Sequence, residues 1–143
     1  MTLNKATRPA PGATYGQLLE KIRYDGVYPT RRRAEEALRA VLPALAPQLT
    51  DQGRALLVGC LPAEASALLT GQASAAHPLT DRDFVEDIAT RTGAGYAVAC
   101  WDTETVLTNL ATLVGPALLP HLLTQLPAGY APLFGQTSRA QAA

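Results

Sequence analysis

The strongest constraint on the fold is an internal repeat. Shifting the chain by 65 positions superposes apolar residues spaced three and four apart, as on one face of a helix. The matched pairs are Val41 and Val106, Leu42 and Leu107, Leu45 and Leu110, Leu49 and Val114, Leu57 and Leu122, Leu61 and Leu126, Pro62 and Pro127, and Ala63 and Ala128. Recurrence of this kind is typical of repeated helical units. We therefore predict two tandem units of three to four helices each, residues 14–72 and 80–136.

The composition predicts helices rather than strands. The 143 residues include 26 Ala and 22 Leu but only 7 Val and 2 Ile, and this balance favours the α-helix. The sequence thus predicts an all-α fold, a compact helical bundle in a single domain over residues 14–136. We expect a disordered segment over residues 1–13, a linker over 73–79 and a flexible tail over 137–143.

Helix boundaries can be assigned from capping residues and prolines. Thr14 and Thr80 each precede an apolar periodic segment, so both are predicted N-caps of the first helix of a unit. Pro43 lies within the apolar stripe of the second helix and is expected to kink it. Gly135 is predicted to end the last helix, and Gly71 its counterpart in the first unit.

The sequence contains no targeting or membrane signal. No apolar run approaches the roughly 18 to 20 residues that a membrane span requires. The first 13 residues lack the apolar core of a secretory signal. We therefore expect a cytoplasmic protein that does not bind membranes, with Cys60 and Cys100 as reduced, mostly buried thiols.

The charges are balanced overall but uneven along the chain. Residues 1–72 contain nine cations and six acids, whereas residues 73–143 contain three cations and six acids. Zero net charge removes the simplest argument for nonspecific binding to DNA. The two opposite halves instead favour docking of complementary faces, within one chain or between the two chains of a homodimer.

Three side chains of the second unit suggest a catalytic set. Cys100 could act as nucleophile, His121 as base and Asp102 as the acid that orients the base. The surrounding segment VACWD offers neither a glycine-rich turn nor a cation to lower the pKa of the thiol. No catalytic residue is therefore assigned, and His121 is interpreted as a partly buried structural residue. An enzyme or small-molecule binder with a cleft between the repeats stays an alternative.

Neither a metal nor a cofactor is predicted. His77 and His121 lack the spacing of metal ligands, and the chain has no glycine-rich phosphate loop. Asp83 and Asp87 stand four apart on a helix, which is more typical of a solvated face than of a cation site. Trp101, the single tryptophan, is interpreted as a core wedge between the units.

The candidate interaction surface consists of Tyr24, Tyr28, Arg31, Arg32 and Arg33. Arginines beside exposed aromatic rings can bind phosphates and stack on bases, and they also suit protein partners. The leading interpretation is a non-enzymatic protein-interaction or scaffolding module that binds a protein partner or itself. The alternative is a nucleic-acid-associated regulatory protein that uses the same five residues.

The pattern resembles a bacterial family known as domain of unknown function 2267. The resemblance lies in the first-helix sequence FVEDIATR, the A-x-x-A-L-R-A-V-L pattern of residues 34–42, and a closing Leu126-Pro127 followed by Leu133-Phe134. It covers residues 14–136. The chain departs from the family pattern at Pro43 and Pro47, and in the segment VACWDTE. The resemblance implies an all-helical fold and transfers no catalytic residue.

Overall fold

The computed structural model describes residues 14–70 and 77–136, and these contain seven α-helices and no strand. The helices are α1 (Tyr15–Gly26), α2 (Arg31–Leu45), α3 (Asp51–Cys60), α4 (Ala63–Ser66), α5 (Asp81–Thr92), α6 (Tyr96–Val114) and α7 (Leu119–Thr124). Short 3₁₀ helices cover Ala46–Gln48, Ala67–Leu69 and Ala131–Phe134. The all-α prediction is confirmed. The expectations for residues 1–13, 73–76 and 137–143, and for Gly71, concern residues outside the described ones.

Threonine hydroxyls cap four of the helices. Thr14, Thr30, Thr50 and Thr80 each accept a hydrogen bond from the backbone N–H three residues later. Each bond satisfies an N–H that has no partner within the helix. The predicted caps Thr14 and Thr80 are confirmed, and so is the role of Gly135, which ends the Ala131–Phe134 helix in a left-handed conformation.

Two helix boundaries are set by proline and glycine. Pro43 lies inside α2, which continues to Leu45 and then tightens into the 3₁₀ helix that contains Pro47. In the second half, α7 begins at Leu119, three residues after Pro116. Gly115 has a φ of 89°, so the chain makes a turn over residues 116–118 before the helix can start.

The core is built by helices from both halves of the chain. Helix α1 packs against α2 and α6, and α5 packs against α6 and α2. Helices α2 and α6 also contact each other at the centre. The buried apolar residues form one cluster that includes Leu42, Leu107, Phe84 and Tyr130. Both halves of the described chain are therefore needed to complete the same core.

None of the described helices is both long and apolar enough to span a membrane. The longest described helix is α6, with 19 residues. Its sequence is interrupted by Asp102, Glu104 and Asn109. These polar positions create the site described next.

Candidate functional site

The turn between α1 and α2 has an unusual backbone conformation. Val27 has a φ of 56° and is the one non-glycine residue with positive φ among residues 14–70 and 77–136. A branched side chain is disfavoured in this left-handed region. The turn is held because the Val27 N–H bonds to the Tyr24 carbonyl and the Tyr28 N–H bonds to the Arg23 carbonyl. Valine thus occupies a position that usually belongs to glycine.

This turn directs Tyr28 into the protein, where its side chain covers Gly26. A Cβ atom at Gly26 would lie 2.3 Å from the Tyr28 ring, so the ring position requires glycine there. Tyr28 is 6% exposed, whereas Tyr24 is 77% exposed. The expectation that both tyrosines flank the turn at the surface is therefore wrong for Tyr28.

Tyr28 and Arg33 converge on the buried carboxylate of Asp102. The Tyr28 hydroxyl donates to Asp102 Oδ1 over 2.5 Å, and Arg33 Nη2 donates to both carboxylate oxygens at 3.1 and 2.9 Å. The Arg33 guanidinium also lies 4.9 Å from the centre of the Tyr28 ring. Burial and the Asp102 carboxylate raise the pKa of Tyr28 above its ordinary value. The cluster joins the first half of the chain to α6.

Two further contacts join the end of α1 to α6. Trp101 Nε1 donates to the Gly26 carbonyl over 2.9 Å, and Asn109 Nδ2 donates to Asp25 Oδ2 over 3.1 Å. Asp25 also pairs with Lys21 at 2.6 Å. Because Gly26 lies opposite Trp101 and Leu18 lies beside Leu113, α1 and α6 run antiparallel.

Three exposed apolar side chains lie on and beside this junction. Trp101 is 52% exposed, Val98 one turn earlier in α6 is 45% exposed, and Val27 next to Gly26 is 79% exposed. The prediction that Trp101 is a core wedge is wrong: its indole N–H anchors it to Gly26, while half of its surface faces solvent. We call Val27, Val98 and Trp101 the Trp101 patch. Exposed apolar side chains that cluster in this way can mark an interaction site.

The three arginines have different environments. Arg31 pairs with Glu20 at 3.2 Å, and Arg33 pairs with Asp102. Arg32 is exposed and has no hydrogen bond or ion pair with the described residues. The five predicted interaction residues therefore do not form one surface. Tyr28 and Arg33 belong to the internal cluster, and Arg31 forms an ion pair at the surface. The side chains of Tyr24 and Arg32 form no such contact with the described residues.

The sequence model of a protein family matches most of the chain. The family is described as uncharacterized conserved protein (DUF2267), and the match covers residues 15–133, from the start of α1 into the last 3₁₀ helix. The chain belongs to the DUF2267 family. A comparison with curated proteins gave no match. The DUF2267 description assigns no activity, so the chemistry of the site has to be argued from its own residues.

The suggested catalytic set is not assembled in this DUF2267 protein. Asp102 is bound by Tyr28 and Arg33, while the Cys100 thiol contacts Glu104 Oε2 at 3.5 Å. Burial and Glu104 raise the pKa of Cys100, which disfavours the thiolate that a nucleophile needs. His121 is exposed on α7, so its interpretation as partly buried is wrong. In the described chain, both cysteines are free and no group of three metal-ligating side chains is found.

Shallow grooves lie along α6. One groove, of about 250 Å³, lies between α1 and α6, and its walls include Leu18, Lys21 and Asn109. A second, of about 380 Å³, lies between α6 and the Ala131–Phe134 helix and is lined by Thr108, Phe134 and others. The first groove has walls from both halves of the chain. Lys21 is the one ionisable group lining these two grooves, and it pairs with Asp25.

Sequence reasoning missed the role of a polar stripe on α6. Asp102, Thr105 and Asn109 are all buried and are spaced three and four apart, parallel to the apolar stripe of the same helix. A polar stripe with helical spacing indicates a second buried face that needs hydrogen-bond partners. This signal could have identified Asp102 as a contact residue, but not its partners Tyr28 and Arg33.

Proposed function

We propose that this protein is a non-enzymatic protein-interaction module whose binding surface is the Trp101 patch. The observation that carries the proposal is the half-exposed Trp101 side chain, fixed in place by its bond to the Gly26 carbonyl. Tryptophan is among the residues most enriched in the energetic centres of protein interfaces. A side chain already held in one orientation loses less conformational entropy when a partner binds.

The conformation of Val27 also supports this proposal. An exposed valine in a left-handed conformation contributes little packing to the fold and costs about 1–2 kcal/mol of backbone strain. Glycine would remove that strain without a change in the turn. A valine at this place is accounted for by a side-chain contact that the isolated chain does not make.

The test compares immobilised wild-type protein with Trp101→Ser and Val27→Ser in an extract of the source cells. Val58→Ser is the matched control, because Val58 is also an exposed valine but lies on α3. We expect at least one protein of the extract to bind both wild type and Val58→Ser. The captured amount of that protein should be at least tenfold lower on each of the two patch variants. That protein, purified, must show the same difference in affinity. Equal capture by all four proteins, with each variant folded by circular dichroism, would contradict the proposal.

The nucleic-acid alternative now depends on two of its five residues. The side chains of Tyr24 and Arg32 are exposed and form no hydrogen bond or ion pair with the described residues. A base could therefore stack on Tyr24, and a phosphate could bind Arg32. Such binding would weaken steeply with salt. The probe is a labelled single-stranded oligonucleotide at low ionic strength. Retention by wild type that Tyr24→Ala and Arg32→Ala abolish would support it, and absence of retention would exclude it.

We also propose that the two halves are a tandem repeat related by an approximate twofold rotation. In support, α1 packs on α2 and α6 as α5 packs on α6 and α2. The apolar pairs matched by the 65-residue shift, from Val41 and Val106 to Leu61 and Leu126, are buried in both halves. The test is superposition of residues 14–70 on 80–136 in experimental coordinates. Failure of α1 and α2 to overlay on α5 and α6 would refute the repeat.

A further inference from the structure

We infer that the protein partner of the Trp101 patch presents an arginine side chain, whose guanidinium stacks on Trp101 and pairs with the carboxylate of Glu104. The inference rests on the proposed function, because it names the chemistry of the partner for that surface. A guanidinium is attracted to the face of an aromatic ring and forms strong hydrogen bonds with a carboxylate. A surface that binds it therefore needs an available ring with an unpaired acid beside it.

The acid is Glu104, which lies beside Trp101 on the exposed side of α6. The two residues are three positions apart, and side chains at that spacing are neighbours on a helix surface. Both are exposed, and Glu104 Oε2 reaches back one turn to within 3.5 Å of the Cys100 thiol. Because Cys100 directly precedes Trp101, this contact places the carboxylate at the level of the indole.

Glu104 has no counter-ion among the described residues. Its carboxylate contacts the Cys100 thiol but no cation, whereas the carboxylate of Asp102 pairs with Arg33. Residues 77–136 contain six acids and two cations, so the field around this half attracts positive groups. An entirely apolar partner would remove water from an unpaired carboxylate, which is costly. A nucleic acid would bring its phosphates toward the same acid.

The Trp101 ring is available to a cation. Its hydrogen bond to the Gly26 carbonyl uses the N–H at the ring edge, so that bond occupies neither face of the indole. Half of the side chain is exposed, and tryptophan is the aromatic side chain that attracts cations most strongly. The ring is thus fixed in position before the partner arrives.

Val98 and Glu104 lie on either side of Trp101. They stand three positions before and three positions after it in α6, which puts them about 60° to the two sides of Trp101 around the helix axis. An arginine that crosses the indole from the side of Val98 therefore packs its methylene groups on apolar surface and brings its guanidinium to Glu104. The order of apolar, aromatic and acidic side chains across the helix matches the order of groups along an arginine side chain.

The interior of the protein contains the same combination with all three members present. The Arg33 guanidinium lies 4.9 Å from the centre of the Tyr28 ring and donates to the Asp102 carboxylate. At the surface, Trp101 supplies the ring and Glu104 supplies the acid. No cation of the described residues stacks on that ring or pairs with that acid. The missing member is the one that we assign to the partner.

The first experiment titrates the full chain with two acetylated and amidated pentapeptides, which carry arginine or citrulline between two pairs of glycines. Citrulline keeps the shape of arginine without its charge. The chain has one tryptophan, so a single indole N–H signal in a nitrogen–proton correlation spectrum reports binding at Trp101. We expect the arginine peptide to shift this signal in a saturable way and the citrulline peptide to bind at least about fivefold more weakly. Equal binding of both peptides, or no shift up to their solubility limit, overturns the inference.

A charge-neutral variant tests the acid. Glu104→Gln should bind the arginine peptide at least about threefold more weakly than wild type, and high salt should weaken the binding to wild type. Glu64→Gln is the matched control, because Glu64 is also exposed and without an ion pair to the described residues, but its charge acts on Tyr15 at the end of α1 opposite to Gly26. It should bind as wild type does. Equal binding by the two variants overturns the assignment of Glu104.

Capture from the cell extract separates this inference from the proposed function. A protein that is captured through Trp101 should also decrease at least about threefold on Glu104→Gln but not on Glu64→Gln. If Trp101→Ser loses that protein while Glu104→Gln retains all of it, this inference is wrong and the proposed function stands. If Trp101→Ser captures as much as wild type, the proposed function is wrong and this inference falls with it.

Discussion

The Tyr28 hydroxyl donates a 2.5 Å hydrogen bond to Asp102, which lies 74 positions later in the chain. Asp102 is buried, so its carboxylate needs partners to replace water. Tyr28 supplies one and Arg33 supplies the other. These two contacts fix the position of α6 against the α1–α2 turn, and hence the place where Trp101 reaches the surface.

Replacing Tyr28 with Phe should lower the free energy of unfolding by about 2 kcal/mol. The change removes a buried hydrogen bond to a charged acceptor and keeps the ring. Urea denaturation measures this change in the free energy of unfolding. Tyr15→Phe is the matched control, because Tyr15 donates to Glu35 in a more exposed setting, and it should cost less than about 1 kcal/mol. Equal costs would show that the buried bond to Asp102 is worth no more than the more exposed bond to Glu35.

Two glycine-to-alanine changes in helices should have opposite signs. Gly26→Ala places a methyl group 2.3 Å from the Tyr28 ring and should destabilise by about 1–3 kcal/mol. Gly59→Ala meets no atom within 4 Å and should stabilise α3 by up to about 1 kcal/mol through helix propensity. Thermal unfolding of both variants gives the signs. A stabilised Gly26→Ala protein would mean that the Tyr28 ring can lie elsewhere.

Val27→Gly should raise the stability while weakening association through the Trp101 patch. Glycine relieves the left-handed conformation but loses more entropy on folding, which leaves a net gain of about 0.5–1 kcal/mol. The melting temperature should rise by a few degrees. A lower melting temperature would indicate that Val27 packs within its own chain.

Alkaline pH should destabilise the fold through two buried tyrosines. The pKa values of Tyr28 and Tyr130 are raised, chiefly by burial and also by nearby acids. An unfolded tyrosine loses its proton near pH 10, while the folded one keeps it, so the stabilisation is complete below pH 10 and declines above it. Urea unfolding between pH 8 and 11 should show this decline. Tyr130→Phe should make it shallower, and an unchanged slope would assign the loss to other groups.

The sequence predicted the features that depend on local or periodic signals. The caps Thr14 and Thr80 and the buried pairs such as Leu42 and Leu107 follow from helix ends and from the 3.6-residue period. These signals are contained within a few turns of chain. The family and the all-α class follow from the same patterns.

The exposures of Tyr28 and Trp101 were not predictable in this way. Tyr28 is buried because Gly26 leaves room for its ring and because Asp102 is brought to it from the other half. Trp101 is exposed because its neighbour Asp102 takes the inward position and leaves the indole at the rim. Both outcomes depend on tertiary contacts between residues about 70 positions apart, and no local pattern encodes such contacts.

The polar junction between Asp25, Tyr28, Arg33 and α6 has a consequence for synthesis. At about 5–20 residues per second, residues 25–33 leave the ribosome several seconds before Asp102 and Asn109 exist. Throughout that interval Tyr28 and Arg33 lack Asp102, and Asp25 lacks Asn109. Charged and amide groups stay hydrated during such a wait, whereas leucines at the same positions would offer an adhesive surface to other nascent chains. A junction of polar groups therefore adds no adhesive surface to the first half before the second half arrives.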